Sequence, residues 1–505
     1  MHNIWIYLSA ILISTLSPIS LADLGLDRPS TEPLAEEDIP PLLSATAPGS
    51  ERFYAVGAKR GGGSACTATL IAGSKVPDPE KPALLLTAGH CVTTPLMDAN
   101  AVVVDQPAAP GMTFTGAYFF DNIQNFHPAP VERILYATMK HTDIAVLRLG
   151  VTYGQMKEWG INPIMIEPAH HQAIEMAHIP VIGNFPGGLY LRHSICKAGM
   201  PLAMLESMVP IRPDVPWFIQ KVVPNDCNGS AGSSGSPIFR LGGNKVIGVY
   251  STGSGPGITG CGYGIPCELK EAGPIGQPGT NYFGSVELVA AALKADSTFD
   301  PSELDPGTGV ALLHTASWST RSFVADENQR LRPATWNLSV REGFELIRYK
   351  TGPASSIQCD QPKGYSAPVQ TGDQPLLRLP VDSKEDVYAI CVIGKRSAES
   401  VWQPYAQATR MLRSIDDTYP EITPKVDIND AGINWLLTVR ELPNENTFAY
   451  SKYGPVASID CADPEGYTAS PGEISVPKDG VARRFCAYAT DEAGNPSPTK
   501  HYDFQ

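Results

Sequence analysis

The stretch CNGSAGSSGSPIF, residues Cys227 to Phe239, combines three glycines and four serines with an abrupt return to apolar residues. Such a stretch is typical of a flexible linker or an ordinary turn. It is also what a tight turn needs when it presents a nucleophilic serine, because glycine lets the backbone turn without a Cβ clash. The stretch alone does not choose between these interpretations, so the rest of the chain has to decide.

The composition is that of an acidic globular protein. The chain has 505 residues, enough for roughly three domains at ~150 residues each, and is 43% hydrophobic and 18% charged, which excludes a disordered chain. With 38 Lys+Arg against 52 Asp+Glu, the net charge is −14, which argues against binding to nucleic acid. Its 46 glycines and 46 prolines favour short strands joined by turns.

The N-terminus has the pattern of a secretory signal peptide. Ile4 to Leu16 form an apolar run, and Ser20 and Ala22 stand at the −3 and −1 positions of a cleavage after Ala22. The alternative, a membrane anchor, needs about 20 apolar residues, which neither this run nor a later one reaches. We therefore expect a signal peptide at 1–22, no membrane span and a secreted protein, extracellular or periplasmic. Residues 23–50, rich in proline and acid, are expected to be an extended leader or a propeptide.

The ten cysteines form five consecutive pairs, as expected of disulfides in an exported protein; reactive thiols are the alternative. None has the doubled Cys-x-x-Cys spacing of a zinc site, so we expect no metal and no cofactor. Nearest-neighbour closure predicts the pairs Cys66–Cys91, Cys196–Cys227, Cys261–Cys267, Cys359–Cys391 and Cys461–Cys486.

The first half of the chain has the pattern of a β domain. Beyond Phe53, short apolar runs such as DIAVLRL and KVIGVYS alternate with turns, which predicts a barrel or a sandwich. The best helix candidate is Ser285–Ala295, with Ser285 as N-cap. We expect this domain at 51–295, followed by a polar linker at 296–309.

The C-terminal part contains an internal repeat. TWNLSVRE (335–342) recurs as NWLLTVRE (434–441), CDQPKGY (359–365) as CADPEGY (461–467), and YAICVIG (388–394) as RFCAYAT (484–490). Each unit is rich in strands and contains a cysteine pair, which predicts two immunoglobulin-like β-sandwiches at 310–412 and 413–505. We expect these domains to bind or to act as spacers, with a cell surface, a glycan or a protein as their target.

Three segments of the first domain together indicate chemistry. LLLTAGHC places His90 at the end of an apolar strand, and HTDIAVLRL places Asp143 at the start of another. Alone, His90 is typical of a loop and Asp143 of a turn. A serine hydroxyl, however, needs a base to attack an amide, and the base needs a carboxylate that fixes its tautomer. The ordered set therefore favours the nucleophile interpretation of the opening stretch.

The order His, Asp, Ser with these flanking residues resembles the chymotrypsin/trypsin superfamily of serine endopeptidases, over about residues 50–295. TAGHC resembles its histidine motif, DIAVLRL its aspartate motif and GSSGSP (232–237) its serine motif. The resemblance implies an all-β fold, a chymotrypsin-like double β-barrel with the site in the cleft between two six-stranded barrels. It makes His90 the general base, Asp143 its orienting partner and Ser234 the nucleophile, with the amides of Gly232 and Ser234 as oxyanion hole.

The activity implied by this resemblance is that of a secreted serine endopeptidase, which cleaves proteins or peptides through an acyl-enzyme. The alternative is a catalytically inactive homologue that acts as an extracellular adhesin or binding protein. An intact set of three residues argues against that alternative, because a protein without catalytic use has no physical need for all three.

Three positions depart from the digestive enzymes of this superfamily. Ser233 stands where those enzymes carry an aspartate that pairs with the new N-terminus on activation, which places the chain closer to the bacterial V8-type branch and implies a bacterial source. Tyr250 stands where that branch has a glutamate-binding histidine, and Asn228 where trypsin-type enzymes have an aspartate. Asn228, Tyr250 and His193 are the expected substrate-pocket residues, and no cleavage specificity is predicted.

Overall fold

In a computed structural model the chain is all-β, with two short α-helices, α1 (Tyr153–Glu158) and α2 (Glu287–Ala292), in the part that is described. The structure describes residues 39–92, 100–181, 185–207, 216–257, 261–262, 264–271, 273–304, 309–310, 312–314, 318–326, 328, 330–340, 343–371, 376–440, 448–470 and 472–505. The predicted signal peptide at 1–22 and the leader up to residue 38 lie outside the described residues. Within them, no helix has the length and apolar character needed to cross a bilayer.

The first sheet closes into a barrel. Its strands are β1 (Val56–Arg60), β2 (Cys66–Ile71), β3 (Pro82–Thr87), β4 (Val102–Pro107), β5 (Thr113–Gly116), β6 (Ala129–Thr138) and β7 (Ile144–Thr152). Their order is β4-β6-β5-β1-β2-β3-β7, and a further pairing of β6 with β7 closes six of them into a ring, with β4 outside it. The run CTATLI of β2 is buried at every position, because it crosses the interior of the domain.

The second sheet forms a second ring. Its strands are β8 (Met165–Ile166), β9 (Ala173–His178), β10 (Arg192–Lys197), β11 (Leu202–Ser207), β12 (Pro216–Asn225), β13 (Pro237–Arg240), β14 (Lys245–Gly253), β15 (Cys267–Lys270), β16 (Gly273–Gly276) and β17 (Asn281–Ser285). The order β10-β9-β13-β14-β17-β12 is closed by a bridge between Ala198 and Asn225, and β11, β15 and β16 extend the sheet beyond β12. These two six-stranded rings are the chymotrypsin-like double barrel predicted from the sequence motifs.

The described end of the predicted leader lies against the second barrel. The N–H of Leu43 donates to the carbonyl of Leu191 at 2.9 Å, and the N–H of His193 donates to that of Pro41 at 3.0 Å. The guanidinium of Arg192 also donates to the Pro40 carbonyl at 2.7 Å. Residues 40–43 are therefore part of the folded domain.

Two pairs of packed sheets follow the barrels. The first sandwich contains β18 (Leu312–His314), β19 (Ser319–Thr320), β20 (Phe323–Ala325), β21 (Leu331–Pro333), β22 (Thr335–Val340), β23 (Leu346–Pro353), β24 (Val369–Gln370), β25 (Leu376–Pro380), β26 (Asp386–Lys395) and β27 (Thr409–Ile415). Its sheet β18-β22-β25 packs on β19-β27-β26-β23-β24, with Trp336 and Ile390 in the shared core.

The second sandwich has the same plan. It contains β28 (Lys425–Ala431), β29 (Asn434–Arg440), β30 (Phe448–Pro455), β31 (Thr468–Ala469), β32 (Glu473–Pro477), β33 (Arg483–Thr490) and β34 (Lys500–Phe504). The sheet β28-β29-β32 packs on β31-β30-β33-β34 around Leu437 and Phe485. The immunoglobulin-like character of the two units remains a prediction.

Five disulfides join cysteines that are consecutive in the sequence and account for all ten. They are Cys66–Cys91, Cys196–Cys227, Cys261–Cys267, Cys359–Cys391 and Cys461–Cys486. Each lies within one barrel domain or one sandwich, so none ties two domains together.

Candidate active site

His90 and Asp143 meet at the rim of the first barrel. A short 3-10 turn after β3, Gly89–Cys91, carries His90, and Asp143 directly precedes β7 and is 1% exposed. One carboxylate oxygen of Asp143 accepts the backbone N–H of His90 at 3.0 Å, and the other lies 2.7 Å from His90 Nδ1. Gly89 permits this approach, because a Cβ at that position would overlap the Thr138 carbonyl oxygen.

Opposite electrostatic effects act on the two residues. Burial alone lowers the pKa of His90, but the charge and hydrogen bond of Asp143 outweigh it and raise that pKa above its ordinary value. Burial alone raises the pKa of Asp143, but His90 and the Ser251 hydroxyl, which donates to the carboxylate at 2.6 Å, lower it overall. Asp143 is therefore ionised at neutral pH and holds the imidazole proton on Nδ1.

Ser234 lies on a turn between β12 and β13, at the edge of the second barrel. Gly232 and Gly235 on either side have φ values of +98° and +83°, which glycine adopts without strain. The N–H of Gly235 donates to the Tyr250 carbonyl at 2.8 Å, which anchors the turn on β14. The Ser234 hydroxyl points to the Ser251 carbonyl at 3.4 Å and makes no hydrogen bond to His90, both residues being described.

Thr67 of the first barrel binds this turn. Its N–H donates to the Ser234 carbonyl at 2.9 Å, and its hydroxyl donates to the Gly232 carbonyl at 2.9 Å. Sequence reasoning missed Thr67, although it directly follows Cys66, whose disulfide to Cys91 holds the loop of His90. Strand β2 of the first barrel and the turn of Ser234 at the second barrel are therefore joined by hydrogen bonds.

The backbone N–H groups of Gly232 and Ser234 have no acceptor among the described residues. The neighbouring carbonyl oxygens already accept hydrogen bonds. The Ala231 oxygen accepts the N–H of Val181 at 2.8 Å, and the Gly232 oxygen accepts the Thr67 hydroxyl. Both groups are therefore available as hydrogen-bond donors, which the predicted oxyanion hole requires.

Ser233 is fully buried and bonded to a histidine. Its Oγ lies 2.7 Å from His178 Nδ1 and accepts the N–H of Ser230 at 3.0 Å. Burial, with smaller effects of Arg192 and His193, lowers the pKa of His178 to about 3, so the imidazole is neutral. The neutral pair of Ser233 and His178 therefore lies where the sequence comparison expected an aspartate that pairs with a new N-terminus and found Ser233 instead.

The expected pocket residues lie in different environments. Tyr250 is 4% exposed, its hydroxyl donates to Asn281 Oδ1 at 2.6 Å, and a Cβ on Gly229 would overlap its ring. Tyr250 and Asn281 therefore fill the space beneath the segment that leads to the turn of Ser234. Asn228 is exposed at the surface of that segment.

His193 is held by a different set of residues. Its Nε2 lies 2.9 Å from a Glu175 carboxylate oxygen, and its ring packs on Phe53 at 5.3 Å between centroids. Arg52 completes this cluster with two hydrogen bonds to Glu175. The structure thus gives His193 a bonding environment that contains none of the residues around Ser234.

Two buried ionisable groups near the site had no signal in the sequence. Glu206, at 5% exposure, accepts the N–H of Gly264 at 3.1 Å, and burial raises its pKa to about 7. Lys59, fully buried, donates to the carbonyl of Cys91, and burial lowers its pKa to about 8. Both charges act on His90, Glu206 raising its pKa and Lys59 lowering it.

Potential metal-ligand atoms of Cys66, His90 and Cys91 lie close together. The two sulfurs are joined in a disulfide, however, and a metal binds the thiolate form of cysteine. The cluster does not have the chemistry of a metal site.

Comparison with known proteins finds weak similarity to several solved structures. No family model matches the chain, and no curated protein matches it. Among solved structures, Rv3671c from M. tuberculosis H37Rv, an inactive serine-to-alanine mutant, is 16% identical, covering 49% of this chain and 91% of its own, with a TM-score of 0.28. The thermostable serine protease AL20 from an extremophilic microorganism is 17% identical over 46% of this chain and 92% of its own, with a TM-score of 0.28. Protease Anisep from Arthrobacter nicotinovorans is 16% identical over 46% of this chain and 90% of its own, with a TM-score of 0.29.

Proposed function

We propose that this protein is a serine endopeptidase with Ser234 as its nucleophile. The observation that supports the proposal is the joining of an ionised Asp143–His90 pair to a serine turn with two unengaged amides. Each of these parts has another explanation by itself. Their proximity across the two barrels, which are joined at this point through Thr67, supports a role in acyl transfer.

The chemistry follows from the positions of the groups. His90 Nε2 takes the proton of the Ser234 hydroxyl as its oxygen attacks the peptide carbonyl, and Asp143 stabilises the imidazolium that forms. The amide N–H groups of Gly232 and Ser234 donate to the oxyanion, each contributing about 3 kcal/mol to the transition state. The imidazolium then protonates the leaving amine, and water repeats the sequence on the acyl-enzyme.

The proposal requires one local movement. The Ser234 hydroxyl has to leave the Ser251 carbonyl, 3.4 Å away, and turn to His90. Rotation about one side-chain bond between staggered positions is enough to redirect a serine oxygen. Catalytic hydrogen bonds commonly form only when substrate is bound, so the free geometry does not argue against the assignment.

A peptide substrate has a place to lie beside the nucleophile. Residues 250–253 of β14 pair on one side with β17, while β13 pairs with β14 only up to Val249. The other edge of Ser251–Gly253 has no strand partner among the described residues. An extended peptide adds to such an edge through main-chain hydrogen bonds, which suits proteins or peptides as substrates.

The same proposal places the protein outside the cytoplasm, in the extracellular space or the periplasm. Five disulfides support this location, because disulfides persist in oxidising compartments. We propose a protease domain followed by two sandwiches. The predicted boundaries need two corrections, because residues 40–43 already bond to the barrel domain and strand β27 (Thr409–Ile415) carries the first sandwich past residue 412. A bacterial source and the V8-type branch stay expectations.

Active-site labelling with a fluorophosphonate probe tests the assignment. We expect the probe to label the processed wild-type protein and to lose its target in Ser234→Ala. Ser236→Ala is the matched control, because Ser236 is a fully buried serine of the same turn, and it should still be labelled. Absence of labelling in the processed wild type would instead favour an extracellular binding protein without catalytic activity.

A second variant tests the proposed base. His90→Ala is expected to lower casein hydrolysis by at least about 10³-fold, because the serine loses its proton acceptor. The variant should keep its thermal unfolding transition within a few degrees, since the His90 side chain is 30% exposed. Casein hydrolysis at the wild-type rate would show that the triad is assigned wrongly.

A further inference from the structure

Strand β26 of the first sandwich is buried on both of its faces. It is buried from Asp386 to Gly394, although one face of a two-sheet sandwich ordinarily meets solvent. Tyr388 and Ile390 point into the core of the sandwich itself. The alternate residues Ala389, Cys391 and Ile393 belong to a different apolar cluster. Something other than the sandwich therefore covers the second face.

The second barrel covers this face. Its strands β11, β12 and β15 contribute Leu205, Phe218 and Leu269 to the same cluster. At the edge, the Gln220 side chain donates to the Ile357 carbonyl at 2.9 Å. The first sandwich and the barrel domain therefore share one continuous apolar core, which is more than a linker alone provides.

Polar contacts at one side of this interface reach the segment Thr138–Thr142, which leads directly into Asp143. Lys140 is 2% exposed, and its ammonium donates to the carbonyl of Gln407 in the first sandwich at 2.8 Å. Nearby, the Asn100 side chain forms a reciprocal pair with the Arg410 backbone, donating to its carbonyl and accepting its N–H, both at 2.9 Å.

The same segment touches the site on its other side. The Thr138 carbonyl packs against Gly89, next to His90, and the Thr138 hydroxyl accepts the N–H of Lys140 at 2.9 Å. His141 has φ +53°, which is uncommon for a residue with a Cβ and requires surroundings that hold it. The carbonyl of His141 accepts the N–H of Gln220 at 3.3 Å, so the second barrel also holds this segment by a hydrogen bond.

We propose that the first sandwich is part of the catalytic unit, because its contact with Lys140 holds the Thr138–Thr142 segment and so keeps the Asp143 carboxylate against His90. Lys140 and Asn100 act as positioning residues in this arrangement. The effect on turnover rests on the proposed serine endopeptidase function, whereas the effect on the order of the segment does not.

The variant Lys140→Met in the full chain tests the proposal, because methionine keeps most of the length of the side chain and removes its hydrogen-bond donor. Lys221→Met is the matched control, since Lys221 faces Asp360 across the same interface at 3.8 Å but is 71% exposed and lies outside the segment. We expect Lys140→Met to lower kcat by about 10- to 100-fold with KM changed by less than about threefold, as for a misplaced catalytic group. Lys221→Met should stay within about twofold of wild type for both constants, as expected of an exposed pair.

Hydrogen exchange gives a readout that needs no activity. Peptides covering residues 138–149 should exchange faster in Lys140→Met than in Lys221→Met. Equal exchange and equal kcat in the two variants would overturn the proposal. A wild type without turnover would refute the proposed function alone, because the exchange comparison still decides the positioning role. Should Lys140→Met fail to fold, Asn100→Ala removes the neighbouring contact instead. Its kcat and its hydrogen exchange are then compared with those of Lys221→Met, and the same results support or overturn the proposal.

Discussion

Glu206 is a buried ionisable group whose charge raises the pKa of His90. Its folded pKa of about 7 lies above the ordinary value of 4.5, chiefly because burial penalises the carboxylate. Between these two pH values the folded protein keeps a proton that the unfolded chain has lost. The contribution of Glu206 to the free energy of unfolding therefore falls as the pH rises through this window and is smallest above pH 7.

The variant Glu206→Gln tests this linkage, because glutamine has the shape of the protonated acid and does not titrate. We expect the variant to gain about 3 kcal/mol of unfolding free energy over wild type at pH 8 and little at pH 4.5. Urea unfolding at the two pH values measures the difference. Glu158→Gln, at an exposed position of α1, is the control and should be close to wild type at both. A gain for Glu206→Gln of equal size at both pH values would contradict the buried titration.

Residues of the site fall into two groups by how far the sequence predicts them. His90, Asp143 and Ser234 could be named, because each lies in a motif next to an apolar strand and their chain order is informative. Thr67 and Glu206 could not, because a threonine or a glutamate in a short strand acquires its role only from residues that are distant in the chain. The structure has brought His90 and Asp143 together, while the role of each residue stays a prediction until Ser234 is tested.

At the scale of the element, the turn that carries Ser234 depends on glycine at position 235. A Cβ on Gly235 would overlap the Thr87 hydroxyl and the Thr67 carbonyl, both in strands of the first barrel, and its φ is +83°. The turn is thus held close to the first barrel by a contact that only glycine permits. The sequence pattern GSSGSP indicates the turn, but not the strands against which it packs.

Gly235→Ala is therefore expected to be considerably more destabilising than a glycine replacement in an open turn. Gly242→Ala is the control, because Gly242 has φ +70° and no atom within 4 Å of an added Cβ. The backbone strain common to both variants costs about 1–2 kcal/mol, and the overlap in Gly235→Ala should add about 2 kcal/mol or more. Urea unfolding of both variants measures the difference. Equal losses would mean that the turn is not packed against β2 and β3.

Sequence reasoning predicts the elements better than their ends. The helix expected at Ser285–Ala295 is present as α2, but it begins at Glu287 and stops at Ala292. Leu293 takes an extended conformation and pairs with Phe299, so tertiary pairing overrides the helical pattern of its neighbours. Short strands joined by turns follow from the apolar runs, because each run is long enough to cross a barrel once.

At the scale of the whole molecule, the two repeats differ at the face that meets the barrel. With Cys391 aligned to Cys486, Ala389 corresponds to Arg484, a position of β33 that forms an ion pair with Asp503. The apolar run of β26 is thus typical of a strand buried on both faces, whereas half of the residues of β33, Arg484 among them, are only partly buried. The sequences YAICVIG and RFCAYAT show this difference, since only the first is apolar throughout. The difference indicates that the first sandwich packs against another domain, but it does not indicate which surface of the barrel domain it contacts.

Exchanging this position between the repeats tests the docked arrangement. Ala389→Arg places a guanidinium at a site with no exposed surface, so we expect a loss of about 3 kcal/mol or more of unfolding free energy, or separation of the sandwich from the barrel. Arg484→Ala removes an exposed ion pair and should leave the free energy of unfolding close to that of wild type. Thermal unfolding together with the radius of gyration from X-ray scattering distinguishes the outcomes, since separation expands the molecule. If Ala389→Arg matched Arg484→Ala in both measurements, the apolar face of β26 would not be a packed interface, and the coupling between the first sandwich and Asp143 would lose its structural basis.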